Sequence, residues 1–103
     1  MKNDRALQML SMAQRAGKVA SGEFMTESSV KEGKSFLVIV AGDASDNTKK
    51  KFQDMCTFRN VPLLFYGDRD SLGHAIGKEF RSSLSVNDEG LAAEIRKKAT
   101  EVV

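Results

Sequence analysis

Two segments of the chain carry residues of the types that bind phosphate. Gly33-Lys34-Ser35 matches the end of a P-loop, in which backbone N–H groups and a lysine hold phosphate oxygens. The full pattern needs a glycine where the chain has Ser28, and it must follow a strand, whereas these residues precede one. The segment from Gly73 to Lys78 has three residues between its glycines where four are required. Nucleotide binding is therefore not predicted, and these glycines are interpreted as packing and helix-ending residues.

No group of residues predicts an enzyme. His74 is the only histidine and Cys56 the only cysteine, so the chain lacks a nucleophile, base and orienting group, and it lacks a cysteine-based metal site. Asp43 and Asp46 follow a predicted strand, as in metal-dependent phosphoacceptor sites, but a turn and a helix cap explain both residues more simply. We therefore predict no catalytic residue, no metal and no cofactor.

Basic residues point instead to an anionic partner. The net charge is +2, which permits nucleic-acid binding without requiring it. Lys49-Lys50-Lys51 lies at a predicted helix start, where cations oppose the helix dipole unless an anion approaches; a solvated helix face is the alternative. Further cations lie beside other predicted strand ends and turns: Lys18, Lys34, Lys78 and Arg81. Phe80, between the last two, is a candidate for stacking on a base.

An alternation of helices and strands has to position these residues. Residues 36–41 are six consecutive apolar residues bounded by turn residues, which favours a central strand covered on both faces. Because side chains alternate along a strand, one set should face one helix layer and the other set the second layer, all nearly inaccessible. The two sets are Phe36, Val38 and Val40, and Leu37 and Ile39.

Caps and apolar spacing predict the first three helices. Asn3 is predicted to cap the first helix, with Asp4 in its first turn and Gly17 at its end. A second, less regular helix is predicted over 22–31. A third helix is predicted to begin near Ser45 or Asp46 and to end at Asn60 in a left-handed cap.

The remaining elements are a fourth and a fifth helix and three short strands. Asp70 or Ser71 is predicted to cap the fourth helix, which ends at Gly77, and Asn87 and Asp88 to cap the fifth. Strands are predicted over 18–20 and 63–66. A half-buried strand at the sheet edge is predicted from the alternation of Phe80, Leu84 and Val86 with polar neighbours. This alternation of elements argues for a sheet between two helix layers.

Size and composition are those of an ordinary soluble protein. The 103 residues, 41% hydrophobic and 29% charged, predict one domain over residues 1–103. The longest apolar run is six residues and the N-terminus lacks the apolar stretch of a secretory signal, so neither a membrane span nor export is expected. Together with the single cysteine, this predicts a cytoplasmic location.

Four blocks of the sequence carry a family resemblance. They are residues 16–23, residues 33–41 with Asp43, Val61-Pro62, and residues 72–77. In these blocks and their spacing the chain resembles the ribosomal-protein family that binds kink-turn RNA, the large-subunit proteins seven-Ae and thirty-e and their bacterial relatives. The likeness runs from about Leu7 to Val86. The segments 43–51 and 75–79 resemble the bacterial branch in particular.

The resemblance implies an α/β fold, a three-layer α-β-α sandwich around a four-stranded mixed sheet. It implies binding of structured RNA in or near the translation machinery, with no enzyme activity, no cofactor and no small-molecule substrate. In the family, RNA is held at the start of the second helix, at the start of the third helix and by the loop before the last strand. The corresponding places are residues 22–28, 45–49 and 78–81, with Arg69 nearby.

Three residues depart from the family pattern at the second helix. Where the family has polar or acidic residues and a lysine, this chain has Phe24, Met25 and Ser28, and the first two cannot hydrogen-bond to base edges. We therefore predict recognition of structured, kink-turn-like and ribosomal RNA by shape and phosphate contacts, with ribosomal proteins as further partners. The alternative is a protein-interaction module that uses Phe24 and Met25. The predicted RNA-binding residues are Lys18, Gly22, Glu23, Phe24, Met25, Ser28, Lys34, Ser45, Lys49, Arg69, Lys78, Phe80 and Arg81.

Overall fold

Helices and strands alternate along residues 4–101, the part of the chain that the computed structural model describes. None of the helices in this range is long and apolar enough to cross a membrane. In chain order the elements are α1 Arg5–Arg15, β1 Val19–Ser21, α2 Glu23–Lys31, β2 Leu37–Val40, α3 Asp46–Arg59, β3 Leu63–Phe65, α4 Arg69–Ala75, β4 Ser83–Val86 and α5 Glu89–Thr100.

The four strands form one mixed sheet in the order β1-β4-β2-β3. β2 pairs in parallel with β3, and β4 pairs antiparallel with both β2 and β1. α2 packs against α3, while α1 packs against α4 and α5, so the helices form two groups that pack against the sheet. The predicted α-β-α sandwich around a four-stranded mixed sheet is confirmed.

β2 lies inside the sheet and forms the centre of the core. Residues 37–41 are at most 1% exposed, which confirms the central strand. Phe36 precedes the strand, and its side chain is 42% exposed, so the prediction that it would be inaccessible is wrong. A strand residue is covered only where helices lie over the sheet, and Phe36 lies beyond that cover.

β4 is also an inner strand, which corrects the prediction of an edge strand. All four of its residues are buried, including Ser83 and Ser85. Ser85 donates a hydrogen bond to Ser35 Oγ at 2.7 Å, so its hydroxyl needs no water. The polar half of the alternation therefore consists of small hydroxyl side chains packed under a helix. Phe80 lies in the loop before the strand and is not part of it.

Three helix starts differ from the predicted caps. Asp4 caps α1 by accepting the Leu7 N–H at 2.9 Å, whereas Asn3 lies outside the described residues. Asp68 caps α4 in a capping box with Ser71, two residues before the predicted Asp70. α5 is capped by Asp88 alone, since Asn87 bonds elsewhere.

The ends of α3 match the predictions. Ser45 accepts the Thr48 N–H at 3.1 Å, and Asn60 closes the helix with φ 58°, in the left-handed region. Phe52 and Cys56 are buried on the inner face. Burial raises the pKa of the Cys56 thiol to about 11, so the thiol stays protonated at neutral pH.

Tyr66 joins β3 to α1. Its hydroxyl donates to both carboxylate oxygens of Asp4 at 2.9 Å, and Asp4 is the residue that caps α1. Burial, together with this hydrogen bond, raises the pKa of Tyr66 to about 12.

Candidate nucleic-acid interface

α2 begins without a side-chain cap. Its N-cap is Gly22, which has φ 92°, a conformation that side chains rarely adopt. The Gly22 N–H donates to the Ser83 carbonyl at 3.0 Å, which fixes the start of α2 beside the start of β4. The N–H groups of the first turn, at Glu23, Phe24 and Met25, therefore point out of the helix with no side chain to accept them. Such a helix start attracts anions.

α3 begins at the same end of the sheet, after the chain leaves β2. Its three lysines have different roles. Lys51 reaches α2 and pairs with Glu23 at 2.9 Å and with Glu27 at 2.7 Å. Lys50 pairs with Asp54 at 3.3 Å. Within residues 4–101, Lys49 has no carboxylate partner, which leaves its ammonium for a ligand.

The ion pairs between α2 and α3 change the titration of Glu27. Hydrogen bonds from Lys31 and then from Lys51 lower its pKa to about 2, so the carboxylate is ionised at neutral pH. Glu23, which was predicted to contact RNA, also forms an ion pair with Lys51. The local field at the α2 start is therefore less negative than the sequence of α2 suggests.

The loop before β4 crosses α4 in close contact. A Cβ placed on Gly73 would lie 1.7 Å from the Glu79 carbonyl oxygen, so only glycine permits this crossing. The Lys78 N–H donates to the Gly73 carbonyl at 2.8 Å. Lys78 and Phe80 are exposed on this loop, and the Phe80 ring is 66% exposed. The close crossing therefore fixes the backbone positions of Lys78 and Phe80.

Arg81 and Arg69 tie this loop to its neighbours. The Arg81 Nε donates to Ser21 Oγ at 3.2 Å, and the Arg81 N–H donates to the Arg69 carbonyl at 3.1 Å. The Arg69 N–H donates to Asp43 Oδ1 at 2.9 Å, and its Nε lies 3.4 Å from Oδ2. The backbone hydrogen bond from Arg69, together with its guanidinium, lowers the pKa of Asp43. The loops after β1, β2 and β3 and before β4 are thus bonded to one another.

Most of the predicted RNA-binding residues are brought together by these bonds. We call the resulting surface, formed by residues 22–25, 45–49, 69 and 78–81, the candidate interface. Ser28 lies one turn further along α2, where its hydroxyl donates to Glu32 at 3.0 Å. With Phe24, Ser28 lines a depression of about 290 Å³ beside the interface.

Lys18 and Lys34 are not part of this surface. β1 and β4 pair antiparallel, with Val19 opposite Val86 and Ser21 opposite Leu84, so Lys18 lies at the other end of the sheet from Gly22. Lys34 lies in the connection between α2 and β2, and its ammonium is 3.1 Å from the Glu32 carboxylate. The lysine lowers the pKa of that carboxyl group.

Phe24 and Met25 face outward on α2, with 78% and 51% of their surface exposed. The inner face of the helix is instead formed by Thr26, Ser29 and Val30. The Thr26 hydroxyl is buried and has no hydrogen-bond partner among residues 4–101. α2 is thus apolar outside and partly polar inside, the reverse of an ordinary surface helix.

Sequence analysis missed the residues that hold the interface together. Asp43 was interpreted as a turn residue and Lys51 as part of a basic run, because their partners lie 26 and 28 residues away. Ser21, which accepts the hydrogen bond from Arg81, was predicted only as part of the start of the second helix, and the buried Thr26 was not singled out. The one available signal was the poor apolar stripe of α2, which reflects its buried hydroxyl groups.

The groups on the interface suit an anionic, base-containing ligand better than a metal ion. Within residues 4–101, no three His, Cys, Asp or Glu side chains are placed to hold a metal. The interface offers uncapped N–H groups, the cations of Lys49 and Lys78, and the exposed ring of Phe80. These groups contact phosphates and stack on bases in nucleic-acid complexes.

The sequence and the fold have clear relatives. Residues 4–96 match the ribosomal protein L7Ae/L30e/S12e/Gadd45 family. The chain is 40% identical to the RNA-binding protein YlxQ of Bacillus subtilis over 84 residues, which cover 82% of this chain and 84% of the relative. It is 26% identical to the large ribosomal subunit protein eL8 of Thermoplasma volcanium, over 98% of this chain and 84% of the relative.

Two solved structures have similar folds. A protein of unknown function from Bacillus halodurans superposes with a TM-score of 0.92 at 34% identity, covering 96% of this chain and all of the other. The 15.5kD RNA binding protein of Giardia lamblia gives a TM-score of 0.78 at 24% identity, covering 96% of this chain and 91% of the other. The second likeness concerns the fold alone.

Proposed function

The chain belongs to the ribosomal protein L7Ae/L30e/S12e/Gadd45 family, and on that premise we propose that it is an RNA-binding protein whose candidate interface holds structured RNA. The observation that carries the proposal is that the starts of α2 and α3 and the loop before β4 are bonded into one surface. The relative with 40% identity is named an RNA-binding protein, which supports the same conclusion.

We propose that the RNA is held by its backbone and its shape. A phosphate at Gly22 would accept hydrogen bonds from the uncapped N–H groups of α2. The ammonium groups of Lys49 and Lys78 would neutralise neighbouring phosphates. An unpaired base would stack on Phe80, since RNA proteins bind splayed bases with exposed aromatic rings. Phe24 and Met25 would contact the RNA through apolar surface and leave base edges unread.

Family membership supports the remaining features of the proposal. We propose that the bound RNA is of the kink-turn type, that the protein associates with the ribosome in the cytoplasm, and that residues 1–103 act as a single binding domain without catalytic activity. Similarity to a large-subunit ribosomal protein supports this placement. Ribosomal proteins are the natural protein neighbours in such a complex.

Titration against two RNAs tests the proposal. A fluorescein-labelled kink-turn hairpin and a plain duplex of equal length are titrated with the protein over a series of salt concentrations. We expect binding to the kink-turn that weakens steeply with salt, because lysine–phosphate contacts release counterions. Binding that is absent at low salt, or independent of salt, would refute RNA binding by this interface. Lys50→Ala serves as the control, since Lys50 is already paired with Asp54.

Protein binding is the second candidate function, and the exposure of Phe24 and Met25 favours it. The two functions differ in what the purified protein carries. An RNA-binding protein would leave the cell with nucleic acid that high salt removes, visible in its ultraviolet absorbance ratio. The chain has one tyrosine and no tryptophan, so bound nucleic acid would dominate this ratio.

A further inference from the structure

A groove of about 630 Å³ lies at the other end of the sheet from the candidate interface. It is bounded by the ends of α2 and α3, by the residues before β2 and β3, and by the first turns of α5. Its accessible apolar surface comes from Phe36, Val61, Pro62 and Ala93, which lie over the buried Val30 and Ala92. A volume of this size holds two or three large side chains, and pockets of roughly 300–1,000 Å³ are typical of binding sites.

The chain direction separates this groove from the interface. Phe36 and Pro62 precede the parallel strands β2 and β3, whereas Ser45 and Arg69 follow them. Parallel strands start at one end of a sheet and finish at the other. A partner in the groove would therefore leave the candidate interface accessible to RNA.

Aromatic surface extends from the groove onto α3. Phe58 is 80% exposed, and its ring centre is 5.7 Å from the guanidinium carbon of Arg59. Arg59 also lines the groove, as does Phe36, which is partly exposed. An exposed phenylalanine in contact with an arginine is typical of the centre of a protein interface, where aromatic residues and arginine are enriched.

The charges in the groove leave two arginines without an acidic partner. Among residues 4–101, neither Arg59 nor Arg96 forms an ion pair; Arg59 donates one weak hydrogen bond to the Lys31 carbonyl at 3.4 Å. Lys31 is paired with Glu27 at 2.8 Å, and Glu32 is paired with Lys34. Glu89 is the remaining charge, and it lies in the first turn of α5, where it stabilises the helix.

We propose that this groove binds an acidic, apolar peptide segment of a protein partner. A large apolar side chain of the peptide fills the floor between Phe36 and Ala93, and flanking carboxylates pair with Arg59 and Arg96. Guanidinium groups bind carboxylates in bidentate geometry, which makes arginine the side chain suited to this role. RNA is the less suitable occupant: its phosphates could also pair with the two arginines, but a sugar-phosphate backbone would leave the apolar side chains of the groove uncovered.

Peptide selection tests this proposal. A phage-displayed library of random dodecapeptides is panned on the full chain and, in parallel, on the double variant Arg59→Gln with Arg96→Gln. We expect selected peptides to combine aspartate or glutamate with leucine, isoleucine or an aromatic residue. Their synthetic forms should bind the double variant roughly tenfold or more weakly, because two charge-assisted contacts are lost. Amide chemical shifts should move around the groove and not around Phe24.

Two further variants make the result specific. Lys97→Gln removes an exposed cation on the same helix that does not line the groove, and it should leave peptide affinity unchanged. Ala93→Glu places a carboxylate in the groove on an exposed helical position, so it should abolish binding without unfolding the protein. Thermal melting of each variant checks the fold.

Several outcomes would overturn the proposal. The library could yield no peptides that prefer the wild type, or peptides without carboxylates, or peptides that move the shifts of Phe24. A double variant that instead loses RNA affinity would assign the groove to RNA. If the wild type sediments as a dimer and the double variant does not, the groove would be assigned to a second copy of the chain. Apart from the loss of RNA affinity, these results do not depend on whether the candidate interface binds RNA.

Discussion

The two ends of the sheet are closed by the same helices in opposite ways. At the candidate interface α2 and α3 begin, and the uncapped N–H groups of α2 and the side chain of Lys49 on α3 face outward. At the other end the same helices finish: Arg59, the last residue of α3, donates to the Lys31 carbonyl of α2, and Lys34 pairs with Glu32. Helix direction therefore gives the two ends opposite partial charges. Lys49 at the interface has no carboxylate partner among residues 4–101, whereas Lys34 at the other end is paired within the protein. The cations that remain for an anion at that other end are the two arginines of the groove.

The largest expected effect comes from Gly73→Ala. Alanine normally favours a helix over glycine, but here its Cβ would meet the Glu79 carbonyl at 1.7 Å and displace the loop. We expect the free energy of unfolding to fall by about 1–3 kcal/mol or more, measured by urea denaturation. RNA affinity should fall with it, because Lys78 and Phe80 move.

Gly77→Ala is the control for this variant. Gly77 has φ 73° with no neighbouring atom within 4 Å, so its replacement adds backbone strain alone. It should cost less stability than Gly73→Ala. Wild-type stability and RNA affinity in Gly73→Ala would show that the crossing does not shape the interface.

Ser28→Lys should strengthen RNA binding. The new cation would lie one turn beyond the uncapped start of α2, facing the same ligand. A charge-assisted contact is worth about 1.5–3 kcal/mol, which corresponds to roughly ten- to a hundredfold in affinity. Glu32 lies four residues further on and competes for the cation, so the lower end of this range is expected. Titration of a kink-turn RNA at fixed salt measures the gain, with Ser28→Gln as the uncharged control.

Adding Phe24→Asn and Met25→Glu should restore preference for a kink-turn over a plain duplex. Amide and carboxylate groups can pair with base edges, whereas a phenyl ring and a thioether cannot. Both side chains are exposed, so the triple variant should fold. A folded triple variant with neither higher affinity nor preference would contradict the kink-turn proposal and favour a protein ligand for the apolar pair.

Lysine substitutions compare the two ends directly. Lys49→Ala and Lys78→Ala should each lower the salt slope of RNA binding by roughly 0.7 to 1, and by similar amounts for different RNA sequences. Lys18→Ala and Lys34→Ala should leave the slope unchanged, because they lie at the other end of the sheet. The measurement is the logarithm of affinity against the logarithm of salt concentration. Equal slopes for all four variants would remove the distinction between the ends.

Glu27→Gln should give the smallest effect, which is a change in how the melting temperature depends on pH. The folded pKa of Glu27 is about 2, below the ordinary value of 4.5. Its stabilising contribution is therefore present above the ordinary value and is lost as pH falls towards the folded value. The melting temperatures of wild type and variant should differ at neutral pH and converge in acid. Glu32→Gln, which breaks a pair between near neighbours, should have less effect; the reverse order would contradict the role of the α2–α3 pairing.

The sequence predicts what depends on local patterns. The apolar run of β2, the cap at Ser45 and the left-handed end at Asn60 are all set by residues near in the chain, and all were predicted. β4 was placed wrongly because Ser83 and Ser85 have the pattern of a solvent face, and only the position of α2 over the sheet shows that they are buried.

The candidate site was predicted only in part, for the same reason. Residues around Gly22, Lys49 and Phe80 were predicted because the family resemblance gives these places a role, and Lys49 and Phe80 also because of their charge and their aromatic ring. Lys18 and Lys34 were included because they adjoin strand ends. Proximity to a strand end in the sequence does not say at which end of the sheet that residue lies. Contacts such as Asp43 with Arg69 depend on the tertiary fold, and no local pattern announces them.

The bond between Tyr66 and Asp4 also makes the protein its own optical reporter. Tyr66 is the only tyrosine, and the chain has no tryptophan, so the tyrosinate absorption band comes from a single point where β3 meets α1. With a folded pKa of about 12 against an ordinary 10.0, this band stays absent in mildly alkaline solution while the junction is closed. A tyrosinate band that appears nearer the ordinary pKa than the folded one would signal that the first helix has separated from the sheet.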